Sequence, residues 1–226
     1  MDIESIKNTV IQWDCLEVMK QLPDKCIDLV LTDPPYGMSY VSSRRNIKHE
    51  EIEQDDNLDW VSDWMKDLYR VQKDDTHAYI FCNDYGLGIF REEAKKAGYT
   101  VKRTLVWIKN NHTSGDLEWD YANITEFCIF LHKGRRLLKG KRENNLLKFD
   151  RENTDDHPTV KNKEMMKYLI DKSSEQGEIV FDPFAGSGTT GAAALEIHRQ
   201  YILIEKEPKY IEIINKRLEN ITPSLF

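Results

Sequence analysis

The 226-residue chain predicts an α/β fold, a mostly parallel sheet with helices on its faces and an antiparallel pair at one edge. Three observations predict it. Short apolar runs alternate with stretches of helical periodicity. The run Ile27–Thr32 is apolar at nearly every position, as in a strand buried on both faces, and it stops at Pro34 and Pro35. Further on, a strand, a glycine turn, a helix and a second strand follow one another without interruption.

The first strand is predicted at Thr9–Trp13, and a short helix follows over Leu16–Leu22 with Asp14 at its start. Residues 37 to 57 are polar and aperiodic and read as a long loop. Leu58–Val71 is amphipathic, with Trp60, Trp64 and Leu68 on one stripe facing the core. A strand over Thr76–Cys82 precedes a helix over Gly86–Ala97, which Gly98 caps. Val101–Lys109 and Thr125–His132 are the antiparallel edge pair. A polar interval then leads to a helix over Lys163–Ser173 and a strand over Glu178–Phe181. The glycine turn, the helix Ala192–Ile197, the strand Tyr201–Glu205 and a helix over Pro208–Leu218 complete the series.

One domain spanning residues 1–226 is expected from this length. No apolar run is long enough to cross a membrane, and the acidic opening segment lacks the apolar core of a secretory signal. Cys15, Cys26, Cys82 and Cys128 are scattered, which fits reduced thiols in the cytoplasm and supplies no metal-site spacing. The net charge of −7 argues against a protein that coats nucleic acid by bulk charge, though not against a local basic face. Such a stretch exists: Lys133, Arg135, Arg136, Lys139, Lys141, Arg142 and Lys148 stand against the single acid Glu143. Taken alone, it reads equally well as a solvated face.

Gly186, Gly188 and Gly191 spell G-x-G-x-x-G after a strand and at the opening of a helix. Glu205 ends the next strand, nineteen positions after Gly186. That context is the one a nucleotide-binding βαβ unit requires, with small residues for close backbone approach and an acid for ribose hydroxyls. The remaining length after Glu205 does not hold a second mononucleotide half, and no Gly-Lys-Ser/Thr loop is present. An S-adenosylmethionine site needs only the turn, the acid and room for a sulfonium.

Asp33-Pro34-Pro35-Tyr36 ends the buried strand, where open α/β sheets place their sites. An exocyclic base amine is a poor nucleophile because its lone pair is delocalised into the ring. Accepting hydrogen bonds from both N–H groups, one at the Asp33 carboxylate and one at the Pro34 carbonyl, frees that pair. Pro35 stiffens the turn, and Tyr36 can stack on a base extruded from the duplex. The alternative is a proline-stiffened turn with a packed tyrosine.

The order of these motifs, DPPY, then His157-Pro158-Thr159, then DPFAGSGTTG, resembles the β-class amino-group (N6-adenine/N4-cytosine) DNA methyltransferases. The resemblance covers nearly the whole chain, including VWIK at 106–109 and YILIEKEPKY. It implies a Rossmann-like class I methyltransferase fold with circularly permuted motif order and S-adenosyl-L-methionine as cofactor. It implies Asp33, Pro34, Pro35 and Tyr36 as the catalytic tetrad. Asp182, Phe184, Gly186, Ser187, Gly188 and Thr189 would line or orient the methionine end, with His157 and Thr159 at its carboxylate. Glu205 would bind the ribose and Asp14 the adenine amino group. Asp14 reads equally well as a helix N-cap, and His157 as a helix-start residue. Where the family continues with Gln-Lys-Pro this chain has Val160-Lys161-Asn162, which leaves the role of Lys161 open.

The resemblance also implies DNA as substrate and residues 133–156 as a short target-recognition insert. Lys133, Arg135, Arg136, Lys139, Lys141 and Arg142 would then contact DNA, joined by Arg44 and Arg45 of the 37–57 loop. The scheme is direct in-line transfer to a flipped base, with no metal and no covalent enzyme intermediate. Both amines fit the same tetrad, and an aspartate at its first position leans toward N6 of adenine by the habit of the family it resembles. N4-cytosine methylation is the nearest alternative, and a non-catalytic DNA-binding protein with a cofactor fold a more distant one. A homodimer and a companion restriction enzyme are partners known for such proteins; the sequence marks neither. Trp107 and Trp119 fit core or edge packing better than base stacking.

Overall fold

The structure, a computed structural model, describes residues 1–35, 60–110, 121–151, 161–219 and 221. Its eight strands are β1 (Thr9–Gln12), β2 (Ile27–Thr32), β3 (Gln72–Cys82), β4 (Thr100–Ile108), β5 (Thr125–Lys133), β6 (Leu146–Lys148), β7 (Ile179–Asp182) and β8 (Gln200–Glu205). They form one sheet in the order β1-β8-β7-β2-β3-β5-β4-β6. β5 runs antiparallel to both β3 and β4, and all the other pairings are parallel.

The helices are α1 (Ile3–Ile6), α2 (Cys15–Gln21), α3 (Val61–Val71), α4 (Asp84–Ala97), α5 (Lys163–Ser173), α6 (Thr189–Glu196) and α7 (Pro208–Glu219). Strand alternation divides the core into two layers. Val30, Ala78, Ile80, Ile129 and Leu131 face α2, α3 and α4. Leu29, Leu31, Phe81, Cys128 and Leu203 face α5, α6 and α7. The central strand β2 is buried at every position, which is why its sequence carries no polar alternation.

The expected elements form, with boundary shifts of a few residues. Asn83 and Asn162 cap α4 and α5 through their side chains, and Gly98 ends α4 at φ +112°. β3 begins at Gln72 rather than Thr76, because its first residues pair with Ile27. The edge pair is not the outermost part of the sheet: β6 adds to β4, with Leu147 opposite Trp107. Trp107 is buried and donates from Nε1 to the Phe149 carbonyl at 2.7 Å. The four cysteines are buried and unpaired. Among the described residues, no helix is long and apolar enough to cross a membrane.

The chain leaves β2 towards β3 on one side of the sheet and leaves β7 towards β8 on the other. β2 and β7 are neighbours, with Leu29 opposite Val180 and Val30 opposite Phe181. Their carboxyl ends therefore open onto the crevice where strand order reverses, the ligand site of open α/β sheets.

Candidate active site

Asp33 follows the last residue of β2, and Asp182 is the last residue of β7. One carboxylate joins the two ends. Asp182 accepts from Thr32 Oγ1 at 2.7 Å, from Thr190 Oγ1 at 2.6 Å and from the Phe184 amide at 3.1 Å. Burial raises its pKa against the pull of those donors. Asp182 thus orients the glycine turn, one of the two roles expected for it, and also ties that turn to the strand that delivers Asp33.

The glycine turn has the conformation its sequence demands. Gly188 sits at φ +76° as the N-cap of α6, where an added Cβ would meet Ile214 Cγ2 at 2.9 Å. Gly191 lets α6 settle on β8, because a Cβ there would lie 2.7 Å from Leu203 Cδ1. Ser187 and Thr189 are buried, and Arg217 of α7 donates to Thr189 Oγ1 at 2.7 Å, so their hydroxyls brace the turn against α7. Phe184 packs edge-on against Trp60 and Trp64 at ring separations of 5.5 and 5.6 Å.

Glu205 ends β8 beside this turn. Its Oε2 accepts from the Gly186 amide at 2.8 Å and its Oε1 from the Glu207 amide at 2.9 Å, and burial raises its pKa. Each oxygen retains a further lone pair for a ligand hydroxyl. Asp14 lies two residues past the end of β1, the next strand, and caps α2 by accepting from the Leu16 amide at 2.9 Å, the capping role its position allows. A strained glycine turn, a carboxylate one strand over and an acid two strands over make a cradle that fits an adenosyl cofactor with an amino-acid tail.

The Asp33 side chain is held at one oxygen only. Lys161 Nζ donates to Oδ2, whereas Oδ1 is buried and, among the described residues, has no hydrogen-bond partner. Lys161 is itself buried and also contacts Glu126 Oε1 at 2.5 Å; Glu126 Oε2 meets Lys109 at 2.8 Å. An alternating chain of charges, Asp33, Lys161, Glu126 and Lys109, therefore runs from the strand end into the β4–β5 pair. Burial pushes the Asp33 carboxyl up to about 6 against the opposing pull of Lys161. The two carboxylates raise Lys161 despite its burial, and the two lysines hold Glu126 below the ordinary carboxylate range despite its own.

Tyr36, Arg44, Arg45, His157, Thr159 and Trp119 lie outside the described residues. The fold divides the basic stretch. β5 opposes Cys82 with Phe127 at one end and Thr76 with Lys133 at the other, so it delivers Lys133 to the sheet edge away from Asp33. Lys133 is buried there and donates to the Tyr69 and Gln72 carbonyls at 2.6 Å each, so it presents no amine to a phosphate. Arg136 pairs with Glu178 through both terminal nitrogens, and Lys139 pairs with Glu175 at 2.6 Å, both beside the start of β7. Arg135, Lys141 and Arg142 are exposed. The first half of the expected 133–156 insert thus braces the amino edge of the sheet. Lys148, exposed at the end of β6 opposite Ile108, returns to the carboxyl edge.

Sequence reasoning missed Thr32, Glu126, Lys109 and Arg217. The first two carried a weak signal: each is a polar residue beside the apolar run of its strand.

A profile of the N6_N4_Mtase family, described as DNA methylase, matches residues 27–216. The type II methyltransferase M.HinfI of Haemophilus influenzae is 27% identical over 99% of this chain and 71% of its own length. The putative methylase YubD of Escherichia coli K12 is 34% identical over 92% of this chain and 88% of its own. Among solved structures, the M1.HpyAVI–SAM complex superposes with a TM-score of 0.72 at 25% identity, covering 93% of this chain and 99% of that one. With the profile spanning both the Asp33 strand end and the glycine turn, the chain belongs to the N6_N4_Mtase family, the S-adenosylmethionine-dependent DNA methyltransferases.

Proposed function

We propose that this protein methylates N6 of adenine in DNA, on a base turned out of the duplex. The observation that carries the reading is Asp33 Oδ1, a buried and unpartnered acceptor on the strand next to the glycine turn. A buried carboxylate oxygen without a donor costs free energy unless a ligand supplies one. An exocyclic amine is such a donor. Asp33 Oδ1 accepts one N–H and the Pro34 carbonyl the other, which draws the nitrogen lone pair out of the ring. Tyr36 stacks on the extruded base.

Gly186 and Gly188 admit the amino-acid end of the cofactor, with Phe184 beside it. Glu205 accepts from its ribose hydroxyls, and Asp14 meets its adenine amine. Ser187, Thr189 and Asp182 keep the turn in shape, and His157 and Thr159 serve the carboxylate. When bound, S-adenosylmethionine supplies an electrophilic methyl group on a sulfonium. The protein's contribution is positioning and a fixed negative charge where positive charge develops on nitrogen. DNA then lies across the carboxyl edge of the sheet, where Lys148 is exposed, with Arg44 and Arg45 as further phosphate contacts.

The test is incubation with methyl-labelled cofactor and unmethylated plasmid DNA, followed by digestion to nucleosides. N6-methyl-2′-deoxyadenosine is the expected labelled product. Label on N4-methyl-2′-deoxycytidine replaces the base assignment, and unlabelled DNA overturns the reading.

A further inference from the structure

Lys161 is the one cation in contact with the carboxylate on which the proposed function turns, among the contacts the described residues show. It comes from just before the N-cap of α5, more than a hundred residues after Asp33 in the chain, and its Nζ stands 5.2 Å from the centre of the Phe81 ring near the end of β3. A flexible lysine held at that depth needs compensation, and it has two carboxylates, Asp33 and Glu126. Glu126 is fixed in turn by Lys109 at the end of β4. The consequence for Asp33 is geometric. With Oδ2 committed to Lys161, rotation of the carboxylate is blocked and Oδ1 is the oxygen left for a donor.

We propose that Lys161 is the positioning residue of the amine-accepting carboxylate, holding Asp33 ionised and turned so that Oδ1 meets the target amine, with Glu126 and Lys109 holding Lys161 in place. The proposal rests on the methyltransferase reading of Asp33 above. Among the described residues, the titratable groups around Asp33 are Lys161, Glu126 on β5, Asp182 at the end of β7 and the Cys82 thiol at the end of β3, with Cys128 behind Cys82. Of these only Lys161 favours the charged form, and Glu126 opposes it. Removing Lys161 and removing Glu126 must therefore move the Asp33 titration in opposite directions, which a merely structural role does not require.

The experiment measures single-turnover methylation of unmethylated plasmid DNA between roughly pH 5 and pH 9. It compares the wild-type protein with Lys161→Met, Lys161→Arg and Glu126→Gln, with cofactor affinity measured by calorimetry. In Lys161→Met the acid limb of the profile moves up by about 1–3 pH units, as expected when an adjacent opposite charge is lost. Its rate at neutral pH falls by about twofold for the smallest of these shifts and about a hundredfold for the largest, and rises again on the alkaline side, while cofactor affinity holds. Lys161→Arg keeps the charge and keeps the limb near its wild-type position. In Glu126→Gln the limb moves down. A Lys161→Met loss of equal size at every pH overturns the proposal, as does a limb that moves the same way in Lys161→Met and Glu126→Gln. If Lys161→Met does not fold, an unmoved limb in Glu126→Gln overturns it. Wild-type protein that leaves the DNA unlabelled overturns the underlying reading instead.

Discussion

β2 and β7 run side by side and both deliver an aspartate to the same crevice, yet the two carboxylates are employed in opposite ways. Asp182 is saturated by its own chain: two hydroxyls and an amide fill its oxygens and knit the strand ends together. Asp33 is gripped at one oxygen by Lys161 and bare at the other. Two acids at the carboxyl ends of adjacent strands thus separate into one that holds the site and one that offers it. Their donors set them apart.

The sharpest way to break this contrast is to remove each acid in turn. Asp33→Ala should lose methyl transfer by on the order of 10³-fold while cofactor affinity persists, read by filter-binding of labelled DNA and calorimetry. Asp182→Ala should show the reverse order of damage. It strands two buried hydroxyls and an amide, so unfolding free energy should fall by roughly 2–4 kcal/mol in denaturant titration, with cofactor affinity falling alongside. If Asp182→Ala melts like wild type and keeps its cofactor affinity, Asp182 does not hold the site.

A pH series sharpens the contrast further. Asp33 must be ionised to accept an N–H, and burial raises its pKa to about 6. Its acceptor form is therefore present above that value and lost as pH falls through it. The single-turnover rate should be level on the alkaline side and drop by about tenfold per unit below it. A profile flat down to the ordinary carboxylate range would mean that Asp33 is not the titrating acceptor.

The two edges of the sheet offer the smallest and most specific test. Lys148→Ala, at the carboxyl edge, should weaken DNA binding and reduce the slope of log affinity against log salt by about 1. Arg135→Ala, at the amino edge, should leave both unchanged. A reduced slope in Arg135→Ala would place DNA against the opposite edge.

Much of this was legible in the chain before any coordinates. β2 could be read with its boundaries because six consecutive buried residues run into two prolines. The glycine turn could be read because positive φ at Gly188 and the close approach at Gly191 each exclude a side chain. The placement of the basic stretch could not. Clustering along a sequence does not say which end of a strand a residue occupies, and the reversal of β5 carries Lys133 to the far edge. β6 escaped notice because three residues within a polar, basic run hold no periodicity. Lys161, Glu126 and Lys109 come from three separate elements, and only the folded sheet brings their charges into one line with Asp33. Ser187 and Thr189, expected beside the cofactor, meet Arg217 because α7 packs over the turn.

The aromatic contact at Phe184 has an optical consequence. Two indoles, Trp60 and Trp64, pack against the ring that the glycine turn contributes. Tryptophan emission depends on its immediate surroundings, so any rearrangement of that turn is written into the intrinsic fluorescence of the protein. Occupancy of the cradle can then be followed by light, without a label and without turnover.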